Sequence, residues 1–97
     1  SILQNGALYH TLHFSSRIVK TGVQEAHMTF VVPKKVAPKA IVRNRIKRRG
    51  FYAVSTLFPK IKRPMHAIFF TKKGAENLSY LEHKGEIQTL LEKAGVL

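Results

Sequence analysis

The sequence predicts an α+β sandwich, a small mixed sheet with helices on one face. Three observations predict it. Three runs rich in branched and aromatic residues, Leu8–Ser15, Ala26–Val32 and Met65–Thr71, read as strands. Two longer stretches carry apolar residues at helical spacing. And the order of strand 26–32, helix 40–58 and strand 66–71 makes a β-α-β unit, the hub of the predicted fold.

Taken in order, residues 1–7 (SILQNGA) are a short, partly polar segment read as a frayed strand end. In Leu8–Ser15, Leu8, His10, Leu12 and Phe14 alternate with Tyr9, Thr11 and His13, so a single central strand with rings on both faces is expected. Ile18–Glu25 contains Thr21-Gly22 and reads as a hairpin. Pro33 closes strand 26–32. In the first helix Val42, Ile46, Ala53 and Leu57 fall within about 60° of one another on a wheel of about 100° per residue. Pro38 sits where a helix start tolerates proline, and Pro59 stops the ladder. Gly50 costs about 1 kcal/mol relative to alanine inside a helix, and marks either close packing on the sheet or a bend. Met65–Thr71 is nearly all apolar, as a strand buried on both faces requires. The last helix spans Ser79–Lys93, with Ser79 and Glu82 as a capping box and Gly95 placed to end it. Leu81, Ile87, Leu90, Leu91 and Ala94 form its expected packing face, and its polar face, with Glu86 and Lys93, looks like ordinary solvated surface.

Ninety-seven residues make one domain, residues 1–97. The net charge is +12, a self-repulsion that a polyanion relieves. No cysteine is present, which excludes disulfides and thiolate chemistry and fits a reducing, cytoplasmic setting. No apolar run approaches the ~20 residues that span a bilayer, and no signal-peptide pattern opens the chain. All five acids are glutamates, and none lies between Ala26 and Ala75, where 13 of the 17 basic residues are found. That window is the electrostatic footprint.

Within it, Lys34–Arg49 holds eight Lys or Arg in 16 residues. The helix pattern sets Arg45 and Arg48 on one flank of the apolar stripe, Arg43 and Lys47 on the other, and Arg49 near its edge. Arginine forks bond one phosphate twice and stack on bases, and Asn44 is suited to a base edge or a ribose hydroxyl. A solvated helix face is the plain alternative; the acid-free surroundings favour nucleic-acid contact. A membrane surface would need a free apolar face, but Val42, Ile46 and Leu57 are committed to the core. DNA binding would need a second helix fit for a groove, and the acidic last helix does not suit one.

Catalytic chemistry is missing. The serines lack a histidine and acid in any nucleophile pattern, and paired carboxylates and a phosphate-cradling glycine loop are absent. His10 and His13 would point to opposite faces of a strand and cannot share an ion, so no metal site is expected.

Lys34-Lys35-Val36 followed by Ala40-Ile41-Val42-Arg43-Asn44-Arg45-Ile46-Lys47-Arg48 closely resembles the signature of the bacterial ribonuclease P protein component. The resemblance covers roughly residues 6–94, through strand 66–71 and Gly74…Leu78-Ser79-Tyr80. It implies an α-β sandwich like a ribosomal-protein domain, with a left-handed β-α-β crossover. It implies a subunit of an endoribonuclease whose RNA, with magnesium, removes the 5′ leader of precursor tRNA, with no catalytic residue and no cofactor held by the protein alone. By position, Arg43, Asn44, Arg45, Lys47 and Arg48 would contact the catalytic RNA, with Lys34, Lys35, Lys39 and Arg49 beside them. His13, Phe14 and Arg17 would line the leader cleft. The chain departs from the family where an N-terminal helix is usual and apparently absent, at Pro33 in place of a serine, in a loop one residue longer at 37–39, and at Gly50-Phe51-Tyr52 in place of Leu-Arg-Glu. The alternative is a ribosomal or generic structured-RNA-binding protein without a role in catalysis.

Overall fold

A computed structural model describes residues 7–20, 27–61 and 65–97. Four strands, β1 (Ala7–His10), β2 (Phe14–Lys20), β3 (His27–Val31) and β4 (Met65–Thr71), form one sheet in the order β1-β2-β4-β3. β2 is antiparallel to both β1 and β4, and β3 runs parallel to β4. The connection from β3 to β4 contains α1 (Ala40–Leu57), and α2 (Tyr80–Lys93) follows β4. Both helices lie on one face, as the α+β reading requires.

The alternation along β4 shows why it is central. Met65, Ala67, Phe69 and Thr71 are buried under the helices, while His66, Ile68 and Phe70 are half-buried on the open face. Phe14, Ser16 and Ile18 of β2 and Phe30 of β3 join the first set. Phe14, Phe69, Leu57, Ile87, Leu90 and Leu91 reach essentially zero exposure, each contributing about 1.5–3 kcal/mol by leaving water.

The expected single strand over 8–15 is in fact two. Residues 11–13 turn the chain, Thr11 N–H donating to the Phe14 carbonyl at 2.8 Å, and β1 folds back on β2 as an edge strand. A period of two with rings on both faces fits two short strands as well as one long one. The turn carries no glycine or proline to announce it; instead, α2 anchors it from 75 residues away. The Glu86 carboxylate accepts from Thr11 Oγ1, His13 N–H and His13 Nδ1, each at 2.7 Å. Lys93 Nζ donates to the His10 carbonyl at 2.8 Å. The polar face of α2, expected to be plain surface, is thus what sets the β1–β2 corner. The predicted Thr21-Gly22 turn lies outside the described residues.

The remaining element boundaries agree closely with expectation. α1 buries Ile46, Gly50, Ala53, Val54 and Leu57, and half-buried Val42 packs with Val32, Ala37 and Ile46 in a small satellite cluster. Gly50 marks close packing. A Cβ built there would meet the Phe30 ring at 2.5–2.8 Å. On α2 the capping box is formed: Glu82 N–H donates to Ser79 Oγ at 3.2 Å, and Ser79 N–H to Glu82 Oε1 at 2.9 Å. Gly95, at φ 74°, lets the Val96 N–H close on the Leu91 carbonyl.

One predicted core position is corrected. Leu81 is 75% exposed, and His83 is buried in its place. On the wheel Leu81 falls about 120° from Ile87, whereas His83 lies within about 40° of it, beside Leu90, Leu91 and Ala94. The His83 ring meets Phe14 edge-on at 5.1 Å, and its Nε2 is 3.3 Å from the Ala75 carbonyl.

Burial holds the His83 imidazole below its ordinary pKa. For Glu86, partial burial pushes the carboxyl up, but the bonds from Thr11 and His13 outweigh it and leave the group below its usual range. Both shifts work in the same direction. As pH falls below about 6.5 the unfolded chain protonates its histidine before the folded chain does, so stability drops until the lower folded value is passed. Below about 4.3 the unfolded chain likewise takes up a proton that folded Glu86 resists. Stability should therefore be full near neutral pH and decline on acidification in two stages. Urea midpoints measured from pH 8 to pH 3 should show both stages in the parent chain. The upper stage should shrink in His83→Leu and the lower in Glu86→Gln.

Candidate nucleic-acid interface

Because α1 buries one stripe, its opposite side is committed to solvent. Asn44, Arg45 and Arg48 are exposed there with Ile41, Phe51 and Tyr52, while Lys47 is half-buried beside them. No hydrogen bond or ion pair within the described residues holds the side chains of Asn44, Arg45, Lys47 or Arg48. Ile41, Asn44, Lys47, Arg48 and Phe51 line a shallow depression.

The other two arginines are tied to the fold. Arg43 Nη1 donates to the Ala37 and Pro38 carbonyls at 3.0 and 2.7 Å, clamping the loop that leads into α1. Arg49 Nη1 donates to the Leu78 carbonyl at 2.9 Å, joining α1 to the start of α2. Each keeps its charge at the surface, but neither is a free arm. At the N-terminus of α1, Lys39 occupies the capping position and supplies no side-chain cap, and the first turn has no acid. A lysine has donors only, so neither the cap nor the first turn supplies an anionic partner to this positive helix end.

Lys34 and Lys35 sit in a turn closed by Val36 N–H and Ala37 N–H on the Pro33 carbonyl, at 3.0 and 3.2 Å. Burial of Val36 and Ala37 pins this turn and leaves both lysines exposed. The parallel pairing of β3 with β4 brings their C-terminal ends together, and so Lys35 shares a second depression with Thr71, Lys72 and Lys73. Lys72 and Lys73 are not among the residues the sequence leads one to expect at the site. The signal was the basic pair at the end of a strand whose parallel neighbour ends in another basic pair.

The three expected cleft residues are not together. Phe14 is fully buried beneath α2, which rules it out as a surface lining residue in this fold, because its strand presents it to the helix side. His13 is turned to Glu86 at the β1–β2 corner. Arg17 lies on the open face of the sheet, opposite Leu8 of β1 and Ile68 of β4. Half-buried Ser15, Val19, His66, Ile68 and Phe70 share that face with it.

Among the described residues no group of three His, Cys, Asp or Glu is placed to hold a metal ion, and no helix is long and apolar enough to cross a membrane. The arrangement sets cations along one helix, lysines at the adjacent strand ends, and an open sheet face.

The family model described as Ribonuclease P matches residues 1–95. The chain belongs to the ribonuclease P protein family. A ribonuclease P protein component from Microcystis aeruginosa is 28% identical over 101 residues, spanning 100% of this chain and 84% of that protein. One from Picosynechococcus is 37% identical over 65 residues, which span 67% of this chain and 56% of the relative. The ribonuclease P protein of Staphylococcus aureus superposes with a TM-score of 0.87 at 20% identity, covering 98% of this chain and 86% of that one. The Thermotoga maritima protein gives 0.85 at 19% identity, over 95% and 86% of the two chains. The ribonuclease P protein fold and the sheet-and-helix arrangement described above are therefore the same.

Proposed function

We propose that this chain binds the catalytic RNA of ribonuclease P through the outward side of α1 and the neighbouring lysines, and helps that RNA hold precursor tRNA for removal of the 5′ leader in the cytoplasm. Membership of the ribonuclease P protein family, with Asn44, Arg45, Lys47 and Arg48 on one helix and unengaged among the described residues, carries this reading. Arg43 and Arg49 set the loop and helix that hold the face in place, and their guanidinium charges add to its field. Arg17 and the open sheet face are the surface offered to the leader. Cleavage belongs to the RNA with its magnesium; the protein's part is electrostatic neutralisation and positioning.

The test is precursor-tRNA cleavage by the cognate catalytic RNA at low magnesium, with and without this chain. Strong stimulation is expected, because protein cations replace part of the metal's charge screening. RNA binding without stimulation would instead indicate a structured-RNA binder with no role in the reaction. Affinity should also fall steeply with salt, each neutralised phosphate adding about −0.7 to −0.9 to the log–log slope. Titrations at several potassium concentrations measure that slope, and a flat response would contradict a phosphate-dominated interface.

A further inference from the structure

The aromatic part of the α1 surface is not used by the reading above. Phe51 is 47% exposed, a large apolar ring among charged neighbours. It borders two shallow depressions, one with Ile41, Asn44, Lys47 and Arg48, the other with Met28, Val54, Ser55 and Phe58. Its orientation is held from below. Phe51 meets Phe30 edge-on at 5.0 Å, and Phe30 stacks on fully buried Phe69 at 4.8 Å and 13°. A ring held this way loses little freedom when another group packs on it.

We propose that the depression of Ile41, Asn44, Lys47, Arg48 and Phe51 receives an unpaired nucleobase of the bound RNA, stacked on Phe51. This rests on the RNA-binding reading and deepens it. Lys47 and Arg48 take the phosphates on either side of the base, and Asn44 offers an amide donor and acceptor to its edge. Charge decides the occupant. The rim holds two cations and an amide, and no acid lies between Ala26 and Ala75. An apolar peptide would desolvate those cations without pairing them. A nucleotide matches both halves of the site, π-face to ring and phosphate to cation.

The chain has no tryptophan, so Phe51→Trp introduces a single fluorophore at the site. Oligoadenylate should quench it, and inorganic polyphosphate, which has the charge but no bases, should bind without quenching. Phe51→Leu should weaken binding to the catalytic RNA by about 5- to 150-fold with the salt slope unchanged. Equal quenching by polyphosphate, or parental affinity in Phe51→Leu, overturns the stacking site. If Phe51→Leu binds normally while loss of Arg45 and Arg48 abolishes binding, only the stacking site falls. If the parent chain binds no RNA, the functional reading falls and the site with it. The tryptophan readout does not depend on how well Phe51→Leu folds.

Discussion

Replacing Arg45 and Arg48 together with alanine is expected to lower affinity for the catalytic RNA by about two orders of magnitude or more, with the melting temperature nearly unchanged. Both side chains are exposed and neither is bonded within the described residues, so the folded state loses little when they are truncated. Surface substitutions of this kind usually stay within about 0.5 kcal/mol. A charge-assisted bond to phosphate is worth about 1.5–3 kcal/mol, and two of them make at least about 3 kcal/mol, roughly a hundredfold in binding. Arg43→Ala should behave differently, because it also releases the bonds to the Ala37 and Pro38 carbonyls and loosens the approach to α1. Its loss of affinity should come with a lower melting temperature. Filter binding at fixed salt, paired with thermal melts, separates the two behaviours. If Arg45 and Arg48 prove dispensable for binding, the outward side of α1 is not the interface.

Gly50→Ala should destabilise the fold by up to about 2 kcal/mol even though it replaces glycine with the best helix former. Propensity favours the change by about 1 kcal/mol. Sterics oppose it, since the new methyl would sit 2.5 Å from Cε1 of Phe30. That ring cannot swing aside freely, being stacked on Phe69 and flanked by Phe51. Overpacking of this sort costs about 1–3 kcal/mol, which leaves a net loss of up to about 2 kcal/mol after the propensity gain. Gly85→Ala on α2 is the matched control. Nothing lies within 4 Å of a Cβ there, so the propensity gain should appear as increased stability. For a chain of this length each kcal/mol moves the melting temperature by about 4–8 °C, so the two variants should shift in opposite directions by an easily measured amount. A stabilised Gly50→Ala would mean that α1 can ride away from β3.

The two alanine substitutions show where the reading from sequence succeeds and where it stops. Both glycines interrupt helices, but the wheel already parts them: Gly50 falls about 40° from Ile46, beside the buried stripe, and Gly85 about 160° from Ile87, on the exposed side. What the wheel does not give is how closely β3 approaches Gly50, which depends on which strand lies under which turn. The same holds for the arginines. The run Arg43–Arg49 announces a basic helix, but the wheel does not say that Arg43 reaches back to two carbonyls or that Arg49 reaches Leu78. Leu81 and His83 are a different case. Their angular positions already separate them, and phase rather than apolar character decides which one is buried.

By itself the sequence determined the α+β class, both helices with their ends, strands β3 and β4, the acid-free basic window and the family signature. These are local properties, set by periodicity, proline and glycine positions, capping residues and charge within short windows. Only the tertiary structure decided the split of 8–15 into β1 and β2, the burial of Phe14, the meeting of Lys35 with Lys72 and Lys73, and the anchoring of Thr11 and His13 by Glu86. Each depends on residues far apart in the chain being brought together by strand order and by the packing of α2 on the sheet. A linear pattern specifies which face a residue takes, but not what will be standing opposite it.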